Sequence, residues 1–159
     1  NSIGGIRALY PLLAADKARL VAALRIIGSL IGASLEASQD FRLIDADKVI
    51  LYCCVQNPRL VTIETVQVLF DMTMESTHGL LVANPPVSAV LNGNAAMAAE
   101  SIQRSVILEL LLDIVVALPR NTQLARSAID WLREICDDHV PNCQKVLKTP
   151  GLMPVLIML

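Results

Sequence analysis

Residues 6–34 read IRALYPLLAADKARLVAALRIIGSLIGAS, and this stretch decides the fold. A short apolar run over 6–13 breaks at Ala14–Asp16 and gives way to a longer amphipathic run. In the longer run Leu20, Leu24, Ile27 and Ile31 recur at helical spacing and make a stripe along one face. Asp16 is positioned as the N-cap, where its carboxylate accepts from unpaired first-turn amides. The unit is a short helix, a tight turn and a longer helix, with more apolar residues than one helix pair can bury.

The pattern returns. Residues 49–76 (VILYCCVQNPRLVTIETVQVLFDMTMES) hold an apolar run, then Asn57-Pro58 as expected N-cap and first helical residue, then Ile63, Val66, Leu69 and Phe70. Residues 107–138 (ILELLLDIVVALPRNTQLARSAIDWLREICDD) hold an apolar run, a break over 119–121, and a run carrying Ala125, Ile129, Leu132 and Ile135. In PGLMPVLIML at 150–159, Gly151, Leu152 and Val155 stand where Gly5, Ile6 and Leu9 stood in the opening GGIRALYPLL. Leu24 and Val66 are 42 residues apart, and Val66 and Ile129 are 63 apart. The first spacing is a helical-repeat period of roughly 40–47 residues; the second is that period plus an insertion of about twenty.

Composition agrees. The chain of 159 residues is 54% hydrophobic but only 3% aromatic, so Leu, Ile, Val and Ala must form the core, as in stacked helices. A net charge of −2 without a basic cluster argues against a nucleic-acid partner. Mean hydropathy is high at +0.55. Yet Leu20–Gly32 contains Arg25, and Val106–Leu118 contains Glu109 and Asp113. Both are shorter than the roughly 18 residues a span requires, so no transmembrane helix is expected. Of Cys53, Cys54, Cys136 and Cys143, two are adjacent in an apolar run, which suits packed thiols better than a disulfide framework and favours a reducing, intracellular compartment. The abrupt start at Asn1 and the end inside an apolar helix at Leu159 predict that residues 1–159 are a single repeat fragment of a longer protein, since solenoids end in polar caps.

In order, the chain is expected to form helices over 16–34, 35–44, 45–56, 57–76, 102–118, 121–138 and 142–148, with a last one from Pro150. Residues 77–101 break the pattern with Gly79, Asn84-Pro85-Pro86 and Asn92-Gly93-Asn94, which predicts a flexible loop insertion. The fold class is all-α: an α-solenoid of about three repeats with one insertion.

The short–medium–long cycle resembles an armadillo repeat, G-G-I-x-x-L-x-x-L-L followed by a turn and a helix of A-L-x-x-L-x-x-L type. More narrowly, NSIGGIRALYPLL, FRLIDADKVILYCCVQNPRLVTIETVQVLFDM, and ILELLLDIVV with AIDWLREICDDHVPNCQKVLKTPGLMPVL resemble the armadillo-like region of the large BEACH-domain scaffolds, the neurobeachin and lysosomal-trafficking-regulator group. The resemblance implies a right-handed armadillo/HEAT-like solenoid and a non-catalytic scaffold segment that binds other proteins or adjacent repeats. It also implies a cytoplasmic parent in vesicle trafficking that can associate peripherally with intracellular membranes. Two alternatives stand beside it: a generic armadillo or HEAT adaptor of the cytoskeleton or transport, and a helical regulatory domain attached to an enzyme.

Superposing the long helices through Leu24, Val66 and Ile129 aligns Arg25 with Gln67 and Asp130, and, one turn on, Ser29 with Asp71 and Glu134. By armadillo analogy these six line a concave groove that grips a partner segment. Nuclear-import armadillo proteins carry Trp and Asn ladders there, so this polar, mostly acidic set points away from nuclear-signal binding. The plainer alternative is a solvated helix face. Cys136-x2-His139-x3-Cys143 has metal-compatible spacing but lacks a fourth ligand. Glu109 and Asp113 share a helix face, as paired carboxylates for acid–base work or as the one wet stripe of an apolar helix. Arg126/Asp130 and Arg133/Asp137 read as i,i+4 ion pairs, and Trp131 as packing between repeats. No nucleophile elbow or phosphate loop occurs, and no catalytic residue or cofactor is expected.

Overall fold

A computed structural model describes residues 5–74, 105–119, 121–137 and 140–157. The described residues are all-α, and the helices pack on their neighbours as a helical-repeat arrangement. The expected insertion at 77–101 lies outside them.

The caps explain where the helices start. Helix α1 (Tyr10–Leu13) follows a 3-10 segment over Gly5–Leu9, and Pro11 falls in its first turn, where a missing N–H costs nothing. Helix α2 (Lys17–Ala33) begins where Asp16 accepts from the Arg19 amide at 2.8 Å, as the sequence indicates. Ser34 ends α2 and caps α3 (Leu35–Leu43), its hydroxyl accepting from the Ala37 amide at 3.3 Å. Asp45 then adopts a left-handed backbone, which short polar side chains tolerate, and its carboxylate accepts from Lys48 at 2.6 Å as α4 (Ala46–Gln56) starts.

The expectation for Asn57-Pro58 is corrected. Pro58–Leu60 forms a separate 3-10 turn, and α5 (Ile63–Thr73) starts later, at Thr62, whose amide donates to Thr65 Oγ1 at 3.1 Å. Asn57 turns its side-chain amide back onto the Cys53 carbonyl at 3.1 Å, so it closes α4 instead of opening α5. Ile63, expected on the apolar stripe, is exposed on the first turn of α5. Helix α6 (Ser105–Ala117) is followed by α7 (Thr122–Cys136), capped by Asn121, which accepts from the Leu124 amide at 3.4 Å. Helices α8 (Val140–Lys148) and α9 (Leu152–Ile157) complete the described chain.

Packing sorts the helices into two rows. In one, α1 touches α4, α4 touches α6, and α6 touches α9. In the other, α2 touches α5, and α5 touches α7. The rows meet where α1 packs on α2 and where α6 packs on both α5 and α7; α3 packs on α2 and α4, and α8 on α7. Helix α6 is the centre. Ile107, Leu108, Leu110, Leu111, Leu112, Ile114 and Val115 are all buried, and Glu109 and Asp113 lie on its exposed side.

Within each row, neighbouring helices approach closely at a glycine. A Cβ on Gly28 would stand 2.7 Å from Met72 Cγ of α5, and one on Gly151, just before α9, 2.7 Å from Leu112 Cβ of α6. The second contact is the stiffer, because Leu112 Cβ moves only if α6 moves.

Two substitutions test this core. Leu111→Ala is expected to lower unfolding free energy by about 2–5 kcal/mol and Gly151→Ala by about 1–3 kcal/mol, while exposed Gln39→Ala stays within about 0.5 kcal/mol. Urea denaturation followed by circular dichroism reads all three.

Candidate partner-binding face

The long helices α2, α5 and α7 stack in one row, and the six candidate residues follow its exposed side. Arg25, Ser29, Asp71, Asp130 and Glu134 are exposed and Gln67 is half-buried. The caps support the register: Asp16 and Asn121 are 105 residues apart, as are Leu24 and Ile129. Helix α5 begins one turn later in that register, because the 3-10 segment over Pro58–Leu60 takes up the residues that open α2 and α7.

The fold does not leave the six as an open ladder. Arg25 reaches across the α2–α5 joint to Glu64, with Arg25 Nη2 donating to Glu64 Oε1 at 3.1 Å. Gln67 Nε2 donates to Asp71 Oδ1 at 2.9 Å along α5. Ser29 stands one turn beyond Arg25. Asp130 and Glu134 stand on α7, and neither is in an ion pair with a described residue. The face therefore grades from a paired cation at α2 to open carboxylates at α7. Sequence reading missed Glu64, since a pair 39 residues apart in the chain leaves no local signal.

The expected Arg126/Asp130 and Arg133/Asp137 ion pairs are absent among the described residues. All four side chains are exposed, and an Arg placed N-terminal to its Asp is the weaker orientation against the helix dipole, so water competes successfully. Trp131 is half-buried, its ring centroid 5.7 Å from that of Phe70 on α5, so it packs between α7 and α5.

The other chemistry-bearing groups are dispersed. Cys143 Sγ donates to the Cys136 carbonyl at 3.2 Å, both thiols are free, and His139 lies outside the described residues. No group of three metal-ligating side chains occurs among the described residues. Although Asp113 lies on the exposed side of α6, partial desolvation by its neighbours, with Asp47 of α4 as a second cause, raises its carboxyl above the ordinary value. A surface depression of about 420 Å³ lies between the ends of α4 and α6, lined by Val55, Pro58, Ala117, Leu118, Pro119 and Asn121. Among the described residues its lining contains no titratable side chain. No described helix is long and apolar enough to cross a membrane.

Comparison with protein-family models, with curated proteins and with solved structures finds no match.

The thiols give a quantitative expectation. Burial pushes Cys54 up to about 12, and burial together with the neighbouring Cys143 thiol pushes Cys136 up to about 11. At pH 8 their alkylation by iodoacetamide should run about a hundredfold or more below that of an ordinary thiol, because only the thiolate reacts. Rates should climb about tenfold per pH unit up to pH 10. Peptide mapping of timed samples checks this; rapid labelling of both at pH 8 would contradict it.

Proposed function

We propose that this chain is a non-catalytic protein–protein interaction segment, an armadillo-like right-handed solenoid of about three repeats. Its exposed α2–α5–α7 face holds a segment of a partner protein. The observation that carries the reading is the equivalence of Arg25, Gln67 and Asp130, and of Ser29, Asp71 and Glu134, on three helices stacked in one row. A face continuous over three helices suits an extended segment, because each helix adds one set of contacts along its length.

The charge pattern specifies the partner. Open carboxylates at Asp130 and Glu134, with Asp71 beside them, favour Lys or Arg. The Arg25–Glu64 pair marks the end where a partner must bring a carboxylate or break an existing contact. The contacts are solvent-exposed, so they give register and specificity more than affinity. The resemblance of the repeat segments to BEACH-type scaffolds supports a large cytoplasmic parent in vesicle trafficking, able to associate peripherally with intracellular membranes.

A capture experiment tests the reading. The chain and an Arg25→Glu, Asp71→Lys, Asp130→Lys variant are matched for helicity by circular dichroism and used as baits in cell lysate, with recovery quantified by mass spectrometry. Specific partners should be recovered with the parent and fall by about tenfold or more with the variant, as expected when several complementary contacts become repulsive. Equal recovery with both baits would contradict the assignment.

A further inference from the structure

The end of α7 is closed by α8. The last carbonyls of a helix have no amide within it to pair with. Here two neighbouring residues of α8 supply donors to two neighbouring carbonyls of α7. Asn142 Nδ2 donates to the Ile135 carbonyl at 3.0 Å, and Cys143 Sγ donates to the Cys136 carbonyl at 3.2 Å. Each donor stands seven residues after its acceptor, and Asn142 is fully buried, so the register of α8 on α7 is set.

That register brings two thiols together. The Cys143 sulfur lies on the carbonyl of a residue whose own side chain is a thiol, and the two thiols interact directly. Both are free and half-buried. Joining them requires the Cys143 sulfur to pass from the oxygen of Cys136 to the sulfur of the same residue. Asn142 keeps its own bond to Ile135, so the joint survives the change. The other two cysteines make the contrast. Cys53 and Cys54 are adjacent on α4, where side chains one residue apart diverge by about 100°. They cannot close a disulfide without unwinding the helix, and Cys54 is buried.

We infer that Cys136 and Cys143 form a peroxide-sensitive dithiol switch, a reversible disulfide that clasps α7 to α8. Cys143 reacts first, because burial holds Cys136 protonated, its thiol pushed up to about 11. The Cys143 thiolate attacks one oxygen of hydrogen peroxide and breaks the O–O bond, giving a sulfenic acid and hydroxide. The Cys136 thiol then yields its proton to solvent, and its sulfur attacks the Cys143 sulfur. The S–S bond forms as the S–O bond breaks, and the departing hydroxide takes up a proton as water. The two thiols lose two electrons, and one peroxide becomes two waters. Adjacency offsets the small thiolate fraction at Cys136, because the second step is intramolecular. Glutathione reverses the change by thiol–disulfide exchange. The switch rests on the α7–α8 joint and not on the polar partner-binding face, so either can fail while the other stands.

Trypsin releases both cysteines of the pair in one peptide, residues 134–145, and the other two in a second, residues 49–59. The folded 159-residue chain is treated with hydrogen peroxide, timed samples are blocked with iodoacetamide in denaturant, and both peptides are followed by mass spectrometry. Peptide 134–145 is expected to lose two hydrogens, about 2 Da, and to escape alkylation, at a rate about tenfold or more above any such loss in peptide 49–59. Glutathione should restore both thiols. With Cys136→Ser, Cys143 should be trapped as its dimedone adduct; with Cys143→Ser, oxidation of the peptide should slow by about tenfold or more. Circular dichroism confirms that the variants fold, and the unsubstituted chain decides the matter where they do not. A peptide 134–145 that only gains oxygen, that loses hydrogens no faster than peptide 49–59, or that joins a second chain on a non-reducing gel would overturn the inference.

Discussion

A helix that is apolar around most of its circumference can exist in water only if other helices enclose it. Helix α6 imposes that constraint here. Its leucines and isoleucines point in nearly every direction, and only Glu109 and Asp113 need water. Enclosure requires neighbours on several sides, supplied by α4 and α9 from its own row and α5 and α7 from the other. Each fully buried Leu or Ile contributes about 1.5–3 kcal/mol relative to exposure, so the helix joins the rows through burial without requiring a buried ion pair. The three described ion pairs all lie on exposed side chains.

That division of labour leaves the outer side of the second row open to other uses. An exposed pair such as Arg25–Glu64 adds little to stability, about 0–1 kcal/mol at most. The stacking of α2, α5 and α7 instead depends on the seating of Met72 over Gly28 and of Trp131 on Phe70. Polar residues on the row can therefore vary without disturbing the stack. This separation of a fixed apolar joint from an adjustable polar face is what an interaction scaffold requires, and it underlies the function proposed above.

The parts legible in the sequence are those governed by local chemistry. Asp16 caps its helix as its position beside an apolar run implies, and the stripe Leu20, Leu24, Ile27 and Ile31 is buried throughout. Asn57-Pro58 misleads because the same dipeptide suits a 3-10 turn, and only the Thr62–Thr65 hydrogen bond fixes the true start of α5. The six face residues lie at exposed or half-buried positions of α2, α5 and α7, and the contacts they make were not legible. Glu64 meets Arg25 through the packing of two helices, and the side chains of Arg126 and Asp130 choose solvent over one another.

The row joint is the central claim, and nuclear Overhauser contacts test it most directly. With labelled methionine methyls and the single tryptophan observed, the account expects a contact from Met72 to the Gly28 α-protons and one from the Trp131 indole to the Phe70 ring. Seeing both would establish α2, α5 and α7 as one stacked row. A Trp131 indole in contact with solvent alone, or Met72 packed against a helix other than α2, would contradict the row and the functional reading built on it.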